Sequence, residues 1–180
     1  MVNHDNKNLA NKISAKNVQN IKTEQKKILG QIIGIGVVAG MRTTFAPAVL
    51  SHYLNKHPAS VNGSIFGFMA SPVTSVITKL MGAGEIIGDK LPSTPDRIGV
   101  PQIFGRIASG AFAGIVISKA NNQNMAKGFL IGGISALAGS FGAFYLRKYI
   151  DGLPNVKDVF IGVGEDVMAL TIGVLLLDEN

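Results

Sequence analysis

Residues 40–50 read GMRTTFAPAVL, inside a stretch that is apolar from Ile28 to Leu54. Arg42 stands fifteen residues past Lys27, which on a continuous helix is about 22 Å at 1.5 Å per residue. An arginine at that depth costs about 2.5–3.5 kcal/mol on insertion scales, so it needs a partner or water. Pro47 has no N–H and crowds the carbonyl four residues back, which predicts a break or kink of the first helix around Thr43. Non-helical backbone at membrane depth is tolerated only against protein or a water-filled cavity. Arg42, Thr43 and Thr44 therefore read as the polar lining of a cavity inside a membrane bundle.

The rest of the chain supports a bilayer setting. Of 180 residues, 47% are apolar and only 16% charged, with 22 glycines, a composition skewed away from a soluble globule. Five segments approach the roughly 20 apolar residues needed to cross the hydrocarbon core. They begin near Ile28, Ser71, Gln102, Met125 and Val159 and end near Leu50, Leu91, Ala120, Leu146 and Leu177. The third is short enough to be re-entrant. The expected fold is all-α: a polytopic membrane helical bundle of about five transmembrane helices, the first broken near Pro47.

Residues 1–27 form a separate basic arm, expected to be disordered and cytoplasmic, and residues 28–180 form the transmembrane domain. The arm holds Lys7, Lys12, Lys16, Lys22, Lys26 and Lys27. A basic arm directly before an apolar segment suits anionic lipids, at about 1 kcal/mol per charge near the surface. With the N-terminus inside, five spans put twelve Lys and Arg on the cytoplasmic side against Lys56, Lys119 and Lys127 outside, a bias that sets a multi-pass orientation in the bacterial inner membrane. The pI near 9.7 does not indicate nucleic acid, because the cations are not interleaved with aromatics and no recognition motif accompanies them. Without cysteine there is no thiolate metal site, and His4, His52 and His57 lack a well-spaced further ligand, so no metal or other cofactor is expected. No nucleophile-elbow, Walker or dinucleotide signature is present, and the chain is not expected to be an enzyme.

Charge recurs inside the apolar segments. On a helical wheel Ser71, Thr74, Thr78, Glu85 and Asp89 form one polar stripe, ending in two carboxylates. Lys79 lies off it and is expected to snorkel or meet another copy of the chain in a homo-oligomer. Glu165 and Asp166 lie about 12–14 Å beyond Lys157, and as neighbours they diverge by about 100°, so one alone need face Glu85. Counting Glu85, Asp89, Glu165 and Asp166 against Arg42 and Arg106 leaves excess negative charge, to be balanced by a cation, a proton or a further partner. The third and fourth segments read as a Gly-rich helical hairpin. Gly110 and Gly114, then Gly128 and Gly132, have GxxxG spacing, and Gly139 extends the line.

In order and spacing, AGMRTTFAPAVLS, GFMASP, GEIIGDKLPSTPDR, GRIASGAFAG, GSFGAFYLRK and GEDVMAL resemble a small bacterial integral-membrane family catalogued as domain of unknown function 4126, over about residues 29–177. Its pattern matches Gly40, Arg42 and Thr43; Glu85, Asp89, Lys90, Pro92, Thr94 and Pro95; Gly105 and Arg106; and Glu165 and Asp166. The lysine-rich arm and Lys79 depart from it. The resemblance implies a polytopic membrane protein and supplies no activity.

Three functions follow from these residues. The leading expectation is a small transporter or channel-like protein for a cation, proton or small polar solute, with Arg42 at the break and Thr43, Thr44, Thr78, Glu85, Asp89, Arg106, Glu165 and Asp166 along the path. The alternative is a structural or accessory membrane protein whose embedded charges form an internal ion-pair network. A third is a lipid-phosphate enzyme, in which Asp89, Lys90, Asp96, Arg97 and Arg106 hold magnesium and a phosphate head group, with Thr94 a further candidate in the same loop.

Overall fold

The computed structural model describes the backbone of residues 2–88, 100–151 and 158–178. Among these are six α-helices and no strand: α1 (Val2–Met41), α2 (Phe45–Lys56), α3 (Pro72–Gly88), α4 (Val100–Ala120), α5 (Met125–Asp151) and α6 (Asp158–Asp178), with short 3-10 turns at Pro58–Ser60 and Gly67–Ala70. Two helices, α4 and the Met125–Ile150 part of α5, are long and apolar enough to cross a membrane.

α1 is 40 residues long, so the arm expected without structure continues the first helix, its side chains exposed from Asn11 to Lys26. No Gly or Pro precedes Gly30. Once the packed turns from Ile28 onward are formed, each further residue adds a hydrogen bond without a fresh nucleation cost.

The first apolar segment is not one kinked helix: it turns back. α1 and α6 are antiparallel, since Arg42 meets Asp166 while Gln31 Nε2 donates to Leu176 O (3.0 Å). Gly173, seven residues along α6 toward that lower end, packs against Val49 of α2. α2 therefore runs down alongside α6, away from the Arg42 turn. α3 climbs again. At its start Ser51 Oγ donates to Met69 O (2.7 Å) and Asn55 Nδ2 to Ala70 O (2.9 Å), and at its end Glu85 reaches Thr43 and Thr44. α4 passes the turn near its middle, at Ser109, and α5 returns parallel to α1, with Gly36 against Gly132 and Gly40 against Ser140. The result is an up-and-down arrangement. The N-terminus, the α2–α3 connection, the α4–α5 turn and the end of α6 share one end, which replaces the expected in-line order of spans.

The most extensive packing joins α4 to α5. A Cβ on Gly110 would lie 2.7 Å from Gly132 O, and one on Gly114 would collide with Gly128 O. A Cβ on Gly139 would likewise lie 2.7 Å from Val37 O of α1. Only hydrogen side chains allow these backbones to meet. Arg42, Ser51, Ser140, Glu165 and Asp166 are buried beside an apolar core, while Val73, Ile77, Leu80, Phe104, Ile134 and Leu175 are exposed.

Candidate functional site

The turn Arg42–Thr44 is the centre of the candidate site. α1 closes its last regular bond at Arg42 N to Val38 O (2.8 Å), and α2 opens with Phe45 N to Arg42 O (3.3 Å). Pro47 falls in the first turn of α2, where a missing N–H removes no intrahelical bond. It also leaves Thr43 O without the i+4 amide a continuous helix would supply. Ser109 Oγ of α4 donates to that oxygen instead (2.6 Å).

The start of a helix presents amides with no internal acceptor and the positive end of the dipole. Here Glu85 supplies the acceptor. Thr43 N donates to its Oε1 (2.9 Å), Thr44 N to its Oε2 (2.8 Å) and Thr44 Oγ1 to the same Oε2 (2.5 Å). Thr44, the residue in N-cap position, makes no side-chain cap of its own, because its hydroxyl is given to Glu85. A carboxylate held by three donors from one turn is a charge-assisted latch between α3 and the α1–α2 hairpin.

Arg42 points the other way. Its Nε and Nη2 both lie 2.6 Å from Asp166 Oδ1 of α6, and the two side chains are 3% and 12% exposed. Glu165, the next-door acid, diverges toward α5, where Arg147 Nη1 stands 3.9 Å from its Oε2. Arg147 is the residue sequence reading missed as a partner. The apolar run ends at Leu146, which leaves Arg147 outside the fourth segment, whereas α5 continues to Asp151. Among the described residues Arg42, Arg106 and Arg147 thus stand with Glu85, Glu165 and Asp166; Asp89, the fourth acid of the expected excess, lies outside them.

Arg106 is buried one turn before Ser109, and its neighbour Gly105 approaches Thr43. Thr78 stays out of the cluster: its hydroxyl donates to Thr74 O (2.8 Å) and Ser75 O (3.2 Å) within α3. Lys79 Nζ lies 3.1 Å from His52 Nδ1 of α2. Asp89, Lys90, Thr94, Asp96 and Arg97 lie outside the described residues, and with them most of the magnesium and phosphate site considered from sequence.

Residues 29–178 match the family described as Domain of unknown function (DUF4126). The chain belongs to this family. The match begins one residue after the first buried position of α1, Ile28, so it takes in the whole charged cluster and leaves out the exposed half of the first helix. No curated protein and no solved structure matches the chain.

Proposed function

We propose that this DUF4126 protein is a multi-pass protein of the bacterial inner membrane that moves a proton, a cation or a small polar solute, with the Arg42–Thr44 turn as its gate. One observation carries the reading. A polar turn inside the bundle is held shut by titratable carboxylates from two other helices, Glu85 of α3 and Asp166 of α6. Re-entrant backbone of this kind occurs in membrane proteins where it is packed in protein or lines a water-filled path. Protonating Glu85 removes a negative acceptor from the Thr43 and Thr44 amides, which couples proton occupancy to release of the turn. In liposomes, Glu85→Gln should release the turn and abolish the pH dependence of the flux, and Glu165→Gln should weaken that dependence. Wild-type flux through a folded Glu85→Gln protein would remove the latch.

A second reading is favoured by the pairing of Arg42 with Asp166 and of Arg147 with Glu165. In it the same contacts are an internal network that clamps the hairpin, and the protein is a structural or accessory component. Arg42→Ala with Asp166→Ala distinguishes the two, as argued in the Discussion.

The exposed apolar belt and the two membrane-length helices support the bilayer setting. In the proposed topology α1 and α2 form a re-entrant hairpin, α3 to α6 cross, and both chain ends are cytoplasmic. Among the described residues that end carries the six arm lysines with Lys56, Lys119 and Lys127, and the other end Arg147 and Lys148, so the positive-inside bias keeps its sign. The natural chain has no cysteine. Single substitutions Ala59→Cys and Gln123→Cys should therefore label from the same face as the N-terminus in sealed vesicles. Labelling from the opposite face would restore the in-line five-span order.

A further inference from the structure

At the N-terminal end of the bundle, α1 and the α4–α5 turn enclose a groove of divided character. Ile28, Ile32 and Ile131 make its apolar wall, and Gln123, Asn124 and Lys127 its polar rim. Ser118 lies on its floor. That residue is 1% exposed, its Oγ packs against Gly128, and it has no hydrogen-bond partner among the described residues. A buried hydroxyl left unsatisfied is unfavourable, so it marks a place where a further group belongs. The rim is electropositive for two reasons. Lys127 is exposed there, and α5, a 27-residue helix, begins there with Asn124 Oδ1 accepting from the amides of Ala126 (2.9 Å) and Lys127 (3.2 Å). A neighbouring recess sharing Gln123 and Asn124 adds Lys119.

We propose that this groove binds one anionic phospholipid of the leaflet on the N-terminal side. Its phosphate lies against Lys127 and the start of α5, an acyl chain runs along Ile28, Ile32 and Ile131, and an ester oxygen accepts the Ser118 hydroxyl. A soluble phosphate would leave the apolar wall wet, and an apolar segment of protein would leave Lys127 and Ser118 unanswered. An amphiphile answers both. The groove also sits where the two membrane-length helices meet at their connecting turn, the level at which head groups give way to hydrocarbon. The inference rests on the membrane reading and not on transport, and the site is distinct from the arm, whose Lys12, Lys16 and Lys22 are exposed along α1 before the groove.

The test uses the full chain, first floated with vesicles and then purified in detergent and titrated with phosphatidylglycerol, phosphatidylcholine or inorganic phosphate, followed by native mass spectrometry and thermal unfolding. The expected result is one retained phosphatidylglycerol per chain, with phosphatidylcholine lost and phosphate failing to compete. Lys127→Glu should weaken retention about tenfold. Ser118→Ala should raise the melting temperature of the lipid-free protein, because it removes an unpaired hydroxyl, and should reduce the shift that phosphatidylglycerol produces. Changing Lys12, Lys16 and Lys22 together to Gln should leave retention unchanged. Equal retention of both lipids, indifference to Lys127→Glu, loss of retention with the arm lysines, or full competition by phosphate would each overturn the proposal in a chain that floats. A chain that stays in the soluble fraction overturns the membrane reading and this proposal with it.

Discussion

Replacing Arg42 with alanine should lower the stability of the bundle by about 3–5 kcal/mol, measured as unfolding in detergent against the wild type. Two nitrogens of its guanidinium meet Asp166 Oδ1 at 2.6 Å, in a pair whose side chains are 3% and 12% exposed. Truncation leaves Asp166 charged without that partner in a site too dry to solvate it. Lysine should be a poor substitute, since a single ammonium cannot reproduce the planar fork that places both Nε and Nη2 on the acid. The decisive comparison is with the double variant. Arg42→Ala with Asp166→Ala removes both charges, and it should be less damaging than the two single losses added, with a coupling of about 2 kcal/mol. Additive losses would mean that the pair does not hold the turn. A stable double variant then separates the two functional readings: as a gate the protein would be folded and would leak, and as a clamp it would be folded and still serve its cellular role.

The break itself was legible in the sequence, and its direction was not. Pro47 and Arg42 together predict that helix cannot continue through Thr43, and α1 and α2 part at that point. A proline removes one hydrogen bond and imposes no angle between the two halves. The reversal depends on Glu85, more than forty positions away, taking the Thr43 and Thr44 amides, and on Gly173 admitting Val49 beside α6. Those are tertiary contacts with no local signature. The pairing of charges divides in the same way. That Glu165 and Asp166 must face different neighbours follows from helical geometry alone. That Asp166 would take Arg42 while Glu165 turned to Arg147 required knowing where α5 ends, and the apolar run stops one residue short of Arg147. The positions of α3, α4, α5 and α6 were read within a few residues, because hydrophobic runs bounded by Gly, Pro and Asn mark helix limits directly. Their order in space is not marked in the same way, because charge counting treats each apolar run as one crossing.

Gly114→Leu should be comparably severe, at about 3 kcal/mol or more, because what it meets is backbone. A Cβ at Gly114 would collide with Gly128 O and come 2.8 Å from Gly128 C, on a helix that itself cannot retreat: Gly132 packs on Gly110 one turn away, and Gly36 and Gly139 lock α5 to α1. A flexible side chain could rotate aside, but a carbonyl held in a helical ladder cannot. Alanine should already be harmful at Gly114. Gly142 provides the internal comparison, since it lies on the same α5 and a Cβ there would meet open space. Gly142→Ala should be neutral or stabilising by up to about 1 kcal/mol, the ordinary helix preference of alanine over glycine. The contrast is informative because intrinsic helix propensity rises at both positions. If Gly114→Ala proved as harmless as Gly142→Ala in detergent unfolding, the α4–α5 seam would have room for a methyl group, and close backbone approach would not be what joins the two membrane-length helices.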